Sequence, residues 1–240
     1  AHGWFATSHR MARLVAVRAG IANGCVVVPG TEMTSGSRPG PRHRLINVAH
    51  VIPRKNHMVL LEALSQIDDL DWELDIVGSL NRHPEHAALI REQISKLDLE
   101  GRVRLRGELD VGSLESAYQE ASCLIHTADF EAFGMVLTEA LARGLSVIST
   151  PAGALDNLES PMVQKVDAGD VEGLRQRIRA HLERSFQRPQ EAPVFPTWSE
   201  QAALLVRVLG LDEEGFSVDW LRMREPYDHS ARSTSLARAF

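Results

Sequence analysis

Arg44-Leu-Ile-Asn-Val-Ala-His50 and Trp72-Glu-Leu-Asp-Ile-Val-Gly78 are the stretches on which the fold turns. Each reads as a strand. Residues 56–67 between them read as an amphipathic helix, with Met58, Leu61, Leu64 and Ile67 near helical spacing. The same alternation runs on in both directions. A helix over 85–97 carries Leu89, Ile90, Ile94 and Leu97 on one face. Val103-Arg-Leu-Arg-Gly107 is a third strand, and Ser113 can cap a short helix ending near Ala121. Ser122-Cys-Leu-Ile-His126 is a fourth strand, 134–143 a helix, Ser146-Val-Ile-Ser149 a fifth strand and 162–166 a sixth. Asp170 caps a last helix through Leu182. Strands separated by helices of about 10 to 15 residues imply crossover connections and a parallel sheet flanked by helices, an α/β fold of Rossmann-like type. Ligands bind such sheets beyond the carboxyl ends of the strands, at a switch point. The loops to search are therefore 50–55, 78–83, 107–112, 127–134 and 150–156.

Composition narrows the function classes. The chain has 240 residues, 44% hydrophobic and 24% charged, with a net charge of -6. This is an ordinary soluble balance with enough apolar material for a large core. The acidic excess argues against nucleic acid as a partner, while a local anion site remains compatible with it. Cys25 and Cys123 both lie in apolar runs and read as reduced core residues of a reducing compartment. No apolar run approaches the roughly 20 residues of a membrane span. The expected location is cytoplasmic. The chain begins at Ala1 and reads as a fragment of a longer protein. Residues 35–41, Ser-Gly-Ser-Arg-Pro-Gly-Pro, read as a turn-rich loop.

Chemistry concentrates in Glu131-Ala-Phe-Gly-Met-Val-Leu-Thr-Glu139. Glu131 falls in the loop after a strand, and Glu139 lies inside the following helix. Gly134 removes a side chain where a ligand would approach the backbone. The amides after it open a helix, which favours an anion such as phosphate. On spacing alone, Glu131 could equally be a charge on the helix dipole and Glu139 a solvated residue. Elsewhere the signals are weaker. The ten histidines show no metal-ligand spacing, and His83-Pro-Glu-His86 reads as a loop-to-helix edge. Thr127 either contacts a ligand or bonds its own turn.

These blocks resemble the C-terminal domain of glycosyltransferase family 4. The hallmark Glu-x7-Glu pattern stands here as Glu131-Ala-Phe-Gly134 and Glu139-Ala140. Val27-Val-Pro-Gly30, Ile76-Val-Gly78, Gly144-Leu-Ser-Val-Ile-Ser-Thr150 and Asp170-Val-Glu-Gly-Leu174 resemble further family blocks in the same order. The resemblance spans roughly residues 5–210. It implies the nucleotide-sugar-binding half of a retaining GT-B enzyme that transfers a hexose from a nucleotide diphosphate sugar. The acceptor would be a sugar, a lipid or another small molecule, with no metal and no other cofactor. It assigns Glu131 to the transferred sugar and Glu139 to the ribose hydroxyls. Phe133, Gly134 and Met135 would offer backbone amides to the sugar or distal phosphate, and Lys55 would neutralise the leaving pyrophosphate. Gly78 and Thr127 would border the donor. Leu114 and residues 106–108 would lie near the base.

One departure stands out: where the family has Gly-Arg, this chain has Ala49-His50. A neutral His donates one hydrogen bond, whereas Arg offers a charged fork. Arg54 is the candidate replacement. The departure keeps two alternatives open: a non-catalytic nucleotide-binding or scaffolding domain and, less favoured, a nucleotide-sugar epimerase.

In domain terms the resemblance implies four parts. Residues 1–22 would be the remnant of an N-terminal acceptor-binding domain, whose missing part would also provide any peripheral membrane contact. Residues 23–196 would be the nucleotide-sugar-binding domain and 197–212 a helix returning to the N-terminal domain. Residues 213–240, with Trp220, Leu221, Met223, Leu236 and Phe240, form an amphipathic tail. Part of that tail weakly resembles the entry helix of a class I methyltransferase, implying a fused domain.

Overall fold

A computed structural model describes residues 4–20, 24–31, 43–183 and 193–209. The turn-rich loop at 35–41 and the tail at 213–240 lie outside the described residues. Strand β1 (Trp4–Ala6) leads into helix α1 (His9–Ala19) and strand β2 (Gly24–Val26). Then come β3 (Arg44–Val48), α2 (His57–Ser65), β4 (Glu73–Val77), α3 (Pro84–Lys96), β5 (Val103–Gly107), α4 (Val111–Glu120) and β6 (Cys123–His126). The chain continues through α5 (Met135–Ala142), β7 (Ser146–Ser149), β8 (Val163–Lys165), α6 (Val171–Glu183) and α7 (Trp198–Leu209).

Six strands form one parallel sheet in the order β5-β4-β3-β6-β7-β8. From β3 the chain winds outward through β4 and β5, then returns to the middle and winds the other way through β6, β7 and β8. The switch point lies between β3 and β6. Side-chain alternation divides the core into two faces. Leu45, Leu74, Ile76, Cys123, Ile125 and Ile148 pack on α2, α3 and α6, while Ile46, Val48, Val77, Leu124 and Val147 pack on α4 and α5.

The one buried acid inside this sheet, among the described residues, is paired. Asp75 is buried and receives Arg104 Nε at 2.7 Å and Arg106 Nη1 at 2.8 Å, both from β5. Cys123 is fully buried, and burial pushes its thiol pKa up. Cys25 is only partly buried, so the core placement expected of it holds in part. The cap of α4 is a correction: Asp110, not Ser113, occupies the N-cap, and its Oδ1 accepts from Ser113 N at 2.9 Å. Both residues are good caps, and Asp110 takes the place because its extended backbone precedes the first turn.

The ends lie outside the six-stranded sheet. β2 pairs in parallel with β1. Ser8 caps α1 and donates its hydroxyl to Ala132 O at 2.6 Å, while Arg10 pairs with Asp156 at 2.9 Å. Ahead of α7, Pro196 O accepts from Thr31 N at 2.9 Å. Val17 in α1 is 85% exposed and Val208 in α7 is 43% exposed, so both terminal helices carry uncovered apolar surface. No helix among the described residues is long and apolar enough to cross a membrane.

Candidate functional site

The site grows out of the switch point. The segment after β3 makes a short 3-10 turn, Pro53–Lys55, started by proline and closed by Asn56 in the left-handed region. Asn56 then anchors the opposite loop, donating its side-chain amide to Asp129 Oδ1 at 2.8 Å. Asp129 N in turn donates to Arg54 O at 3.0 Å. Thr127 is buried and donates its hydroxyl to Lys55 O at 3.0 Å. Its hydroxyl therefore braces the loop that carries Lys55, far away in sequence, rather than its own turn.

The loop after β6 is held as firmly from its other side. Glu131 bridges to Ala152, Thr150 donates to Ala128 O at 2.7 Å, and Ala154 N donates to Phe133 O at 2.8 Å. Phe133 itself is buried. Gly134 caps α5 at φ 92, and a Cβ there would come within 2.8 Å of Leu137 Cδ1. The positive φ is what demands glycine. Met135 is the first residue of α5.

Across the gap between the two loops, Lys55 Nζ meets Glu131 Oε2 at 2.5 Å, with side-chain exposures of 12% and 17%. His126, at the end of β6, points Nε2 at the same oxygen from 3.5 Å. That is too long for a hydrogen bond, and the buried Nε2 has no other partner. Burial alone would raise the Glu131 carboxyl, but the His126 ring and the Lys55 ammonium outweigh it and bring its pKa down to about 2. Burial lowers the pKa of His126, and Lys55 and Arg54 add to that effect. Glu131 is thus an anion and His126 neutral at pH 7.

Beside this pair opens a cleft of about 190 Å³, lined by His50, Arg54, Lys55, Gly78, Leu114 and Val136 among others. Five of these, all but Val136, were expected from the sequence. The cationic residues lie after β3, and the apolar wall comes from Val77, Leu109, Leu114 and Val136. Gly78 has φ +147, and a Cβ on it would lie 2.1 Å from Ala49 O, so the ends of β3 and β4 approach only because it is glycine. His50 is tied into the same corner, its Nδ1 accepting from Ser79 N at 3.2 Å. Glu139 sits deeper in α5, only 8% exposed, and its Oε2 accepts from Tyr118 OH at 3.1 Å. Arg143 lies over the Tyr118 ring and donates to Glu115 at 2.6 Å, bracing that corner. Tyr118 and His126 carry no spacing signal in the sequence, and sequence reasoning missed both. Among the described residues no group of three or more His, Cys, Asp or Glu side chains is placed to hold a metal ion.

A doubly wound parallel sheet with cations and an anionic carboxylate at its switch point defines a Rossmann-like α/β domain. The chain belongs to the glycosyl transferases group 1 family, whose model matches residues 31–191. Its fold is that of the GT-B glycosyltransferases. A glycosyltransferase of Rickettsia africae superposes with a TM-score of 0.70 at 19% identity, covering 96% of this chain and 63% of that one. Anabaena HepE, solved in complex with UDP and glucose, gives 0.66 at 19% identity, covering 95% and 62%. In sequence, a phosphatidyl-myo-inositol mannosyltransferase of Mycolicibacterium smegmatis is 31% identical over 168 residues, which is 65% of this chain and 42% of that protein. The GDP-Man:Man(3)GlcNAc(2)-PP-Dol alpha-1,2-mannosyltransferase of Caenorhabditis elegans is 26% identical over 118 residues, 46% of this chain and 25% of that protein. The chain thus matches less than half the length of either curated relative.

Proposed function

We propose that this chain is the donor-binding half of a retaining glycosyltransferase of the family 4 type, which transfers a hexose from a nucleotide diphosphate sugar. The observation that carries the reading is the Lys55–Glu131 pair across the switch point, beside a cleft that also holds Arg54. A cation at that place can meet the diphosphate and neutralise the charge that builds on it as the glycosidic bond breaks. Glu131, kept anionic, can accept hydrogen bonds from sugar hydroxyls. Glu139 is the candidate ribose acceptor, and Tyr118 OH holds its carboxylate in place. Catalysis in this arrangement is positioning and electrostatic relief of the leaving group, with no metal required. Residues 1–22 and 197–212 would face an acceptor-binding half, in keeping with the apolar surface on α1 and α7.

Calorimetry with nucleoside diphosphates and the matching nucleosides tests this. Lys55→Ala should weaken diphosphate binding far more than nucleoside binding, and the difference should shrink at high salt. A parallel loss for both ligands would refute the phosphate role. Glu131→Gln should spare the free nucleoside diphosphate and weaken the nucleotide sugar. Binding without any turnover or donor hydrolysis by the full-length protein would favour a non-catalytic domain instead.

A further inference from the structure

The Glu131 oxygen is approached by two donors, and only one of them is bonded. Lys55 Nζ occupies Oε2 at 2.5 Å, while His126 Nε2 waits at 3.5 Å with no other partner. His126 is 1% exposed, so the ring does not face bulk solvent. A buried polar atom left unpaired costs free energy, and native structures rarely keep one without a use. Lys55 has three N–H donors but only one positive charge, which a diphosphate would share with Glu131. When the ammonium turns toward phosphate, Glu131 loses its countercharge in a site where burial opposes its ionisation. A protonated Glu131 would accept hydrogen bonds from a sugar less well and would add a donor of its own.

We propose that His126 is a positioning residue held in reserve: its Nε2–H closes on Glu131 Oε2 when Lys55 is drawn to the diphosphate, keeping Glu131 ionised and aimed at the sugar. The step rests on the donor-site reading above. It needs a movement of only a few tenths of an ångström, from 3.5 Å to ordinary hydrogen-bond length. The neutral ring places its proton on Nε2 because a carboxylate is the acceptor facing that nitrogen. The other charged groups acting on the ring, Lys55 and Arg54, are cations that oppose a second proton. His126 is therefore a neutral donor, which adds no charge to compete for the phosphate.

Inorganic pyrophosphate is the probe, added to the ¹⁵N-labelled full chain. Nitrogen NMR should show Lys55 Nζ and His126 Nε2 shifting together on titration, the latter toward a stronger hydrogen bond. His126→Gln and His126→Met supply a shape-matched pair that differs in the donor. With saturating pyrophosphate, the Glu131 carboxyl should titrate as in the wild type in His126→Gln, and at least one pH unit higher in His126→Met. Without pyrophosphate the three proteins should differ much less. If Lys55 responds while His126 Nε2 stays still, or if Gln and Met behave alike, the inference is wrong and the donor site stands. If Lys55 does not respond at all, the donor-site reading fails and takes the inference with it. The wild-type titration decides the question even if the variants fold poorly.

Discussion

Replacing Lys55 with methionine removes the ammonium and keeps most of the stem. It strips Glu131 of its closest partner in a pair whose side chains are 12% and 17% exposed. Breaking a buried pair costs about 3–5 kcal/mol. Partial exposure and the nearby His126 reduce this, and about 2 kcal/mol at pH 7 is the expected loss. The Glu131 carboxyl supplies an independent route to the figure. Its depression from 4.5 to about 2 corresponds to about 3 kcal/mol in favour of the folded, ionised state, shared between Lys55 and His126. The folded value lies below the unfolded one. The stabilisation is therefore complete above pH 4.5 and is lost as pH falls through about 2. Urea unfolding of wild type and Lys55→Met, from pH 7 down to pH 3, should show a gap that narrows to about half at the acid end. Lys55→Met/Glu131→Gln should recover most of the loss, because a neutral amide needs no countercharge. A gap independent of pH, or none at pH 7, would refute the view that Lys55 stabilises a buried anion.

Three further outcomes follow from the same geometry. His57 is fully buried, and burial with its neighbours His86, His126 and Lys55 lowers its pKa from 6.5 to about 3. The unfolded chain therefore takes up a proton that the fold refuses, and stability is complete above pH 6.5. By pH 5.5 urea unfolding should show a loss of about 1.4 kcal/mol from this residue alone, more with His86 and His126, whose pKa values are also lowered. His50→Arg should cost about 1 kcal/mol of stability, because arginine offers no acceptor to the buried Ser79 amide. The same variant should tighten binding of a nucleoside diphosphate in calorimetry, and no gain would show that Arg54 already fills the role. Gly78→Ala should cost at least about 3 kcal/mol by thermal unfolding, or abolish folding, since a methyl group cannot share space with Ala49 O.

Much of this was legible in the sequence because period is a local property. The runs at 44–50, 72–78, 103–107, 122–126 and 146–149 became strands within a residue or two, and the intervening periodic segments became helices. The switch-point loops could then be singled out, and His50, Arg54, Lys55, Gly78 and Leu114 do line one cleft. What the sequence hid depends on contacts between distant segments. Lys55 and Glu131 are 76 residues apart, and their 2.5 Å contact exists only because β3 and β6 lie side by side. Tyr118 reaches Glu139 across 21 residues from a different helix, and no spacing announces it. The pairing of β2 with β1, away from the main sheet, is equally invisible to local patterns. The hydroxyl of Thr127 had two plausible uses on sequence alone, and in the fold it bonds neither its own turn nor anything local but the carbonyls of the distant Lys55 loop.

Asn47 marks the place where the backbone ladder at the switch point ends. The register between β3 and β6 runs only through Leu45↔Cys123 and Ile46↔Leu124, and then backbone pairing stops. Asn47 follows at once, fully buried, on the face where strand alternation calls for an apolar residue. Its side-chain amide donates to Ile125 O at 2.8 Å, standing in for the next rung of the ladder, and its Oδ1 faces His57 Nε2 at 3.1 Å. That side-chain rung keeps β3 tied to β6 where the backbone ladder has ended. Beyond that rung the segments after β3 and β6 stay tied, Asp129 N to Arg54 O and the Thr127 hydroxyl to Lys55 O, which brings Lys55 and Glu131 close enough to pair. A polar residue that looks misplaced in the core of β3 thus takes over from the backbone ladder at the place where the candidate site begins.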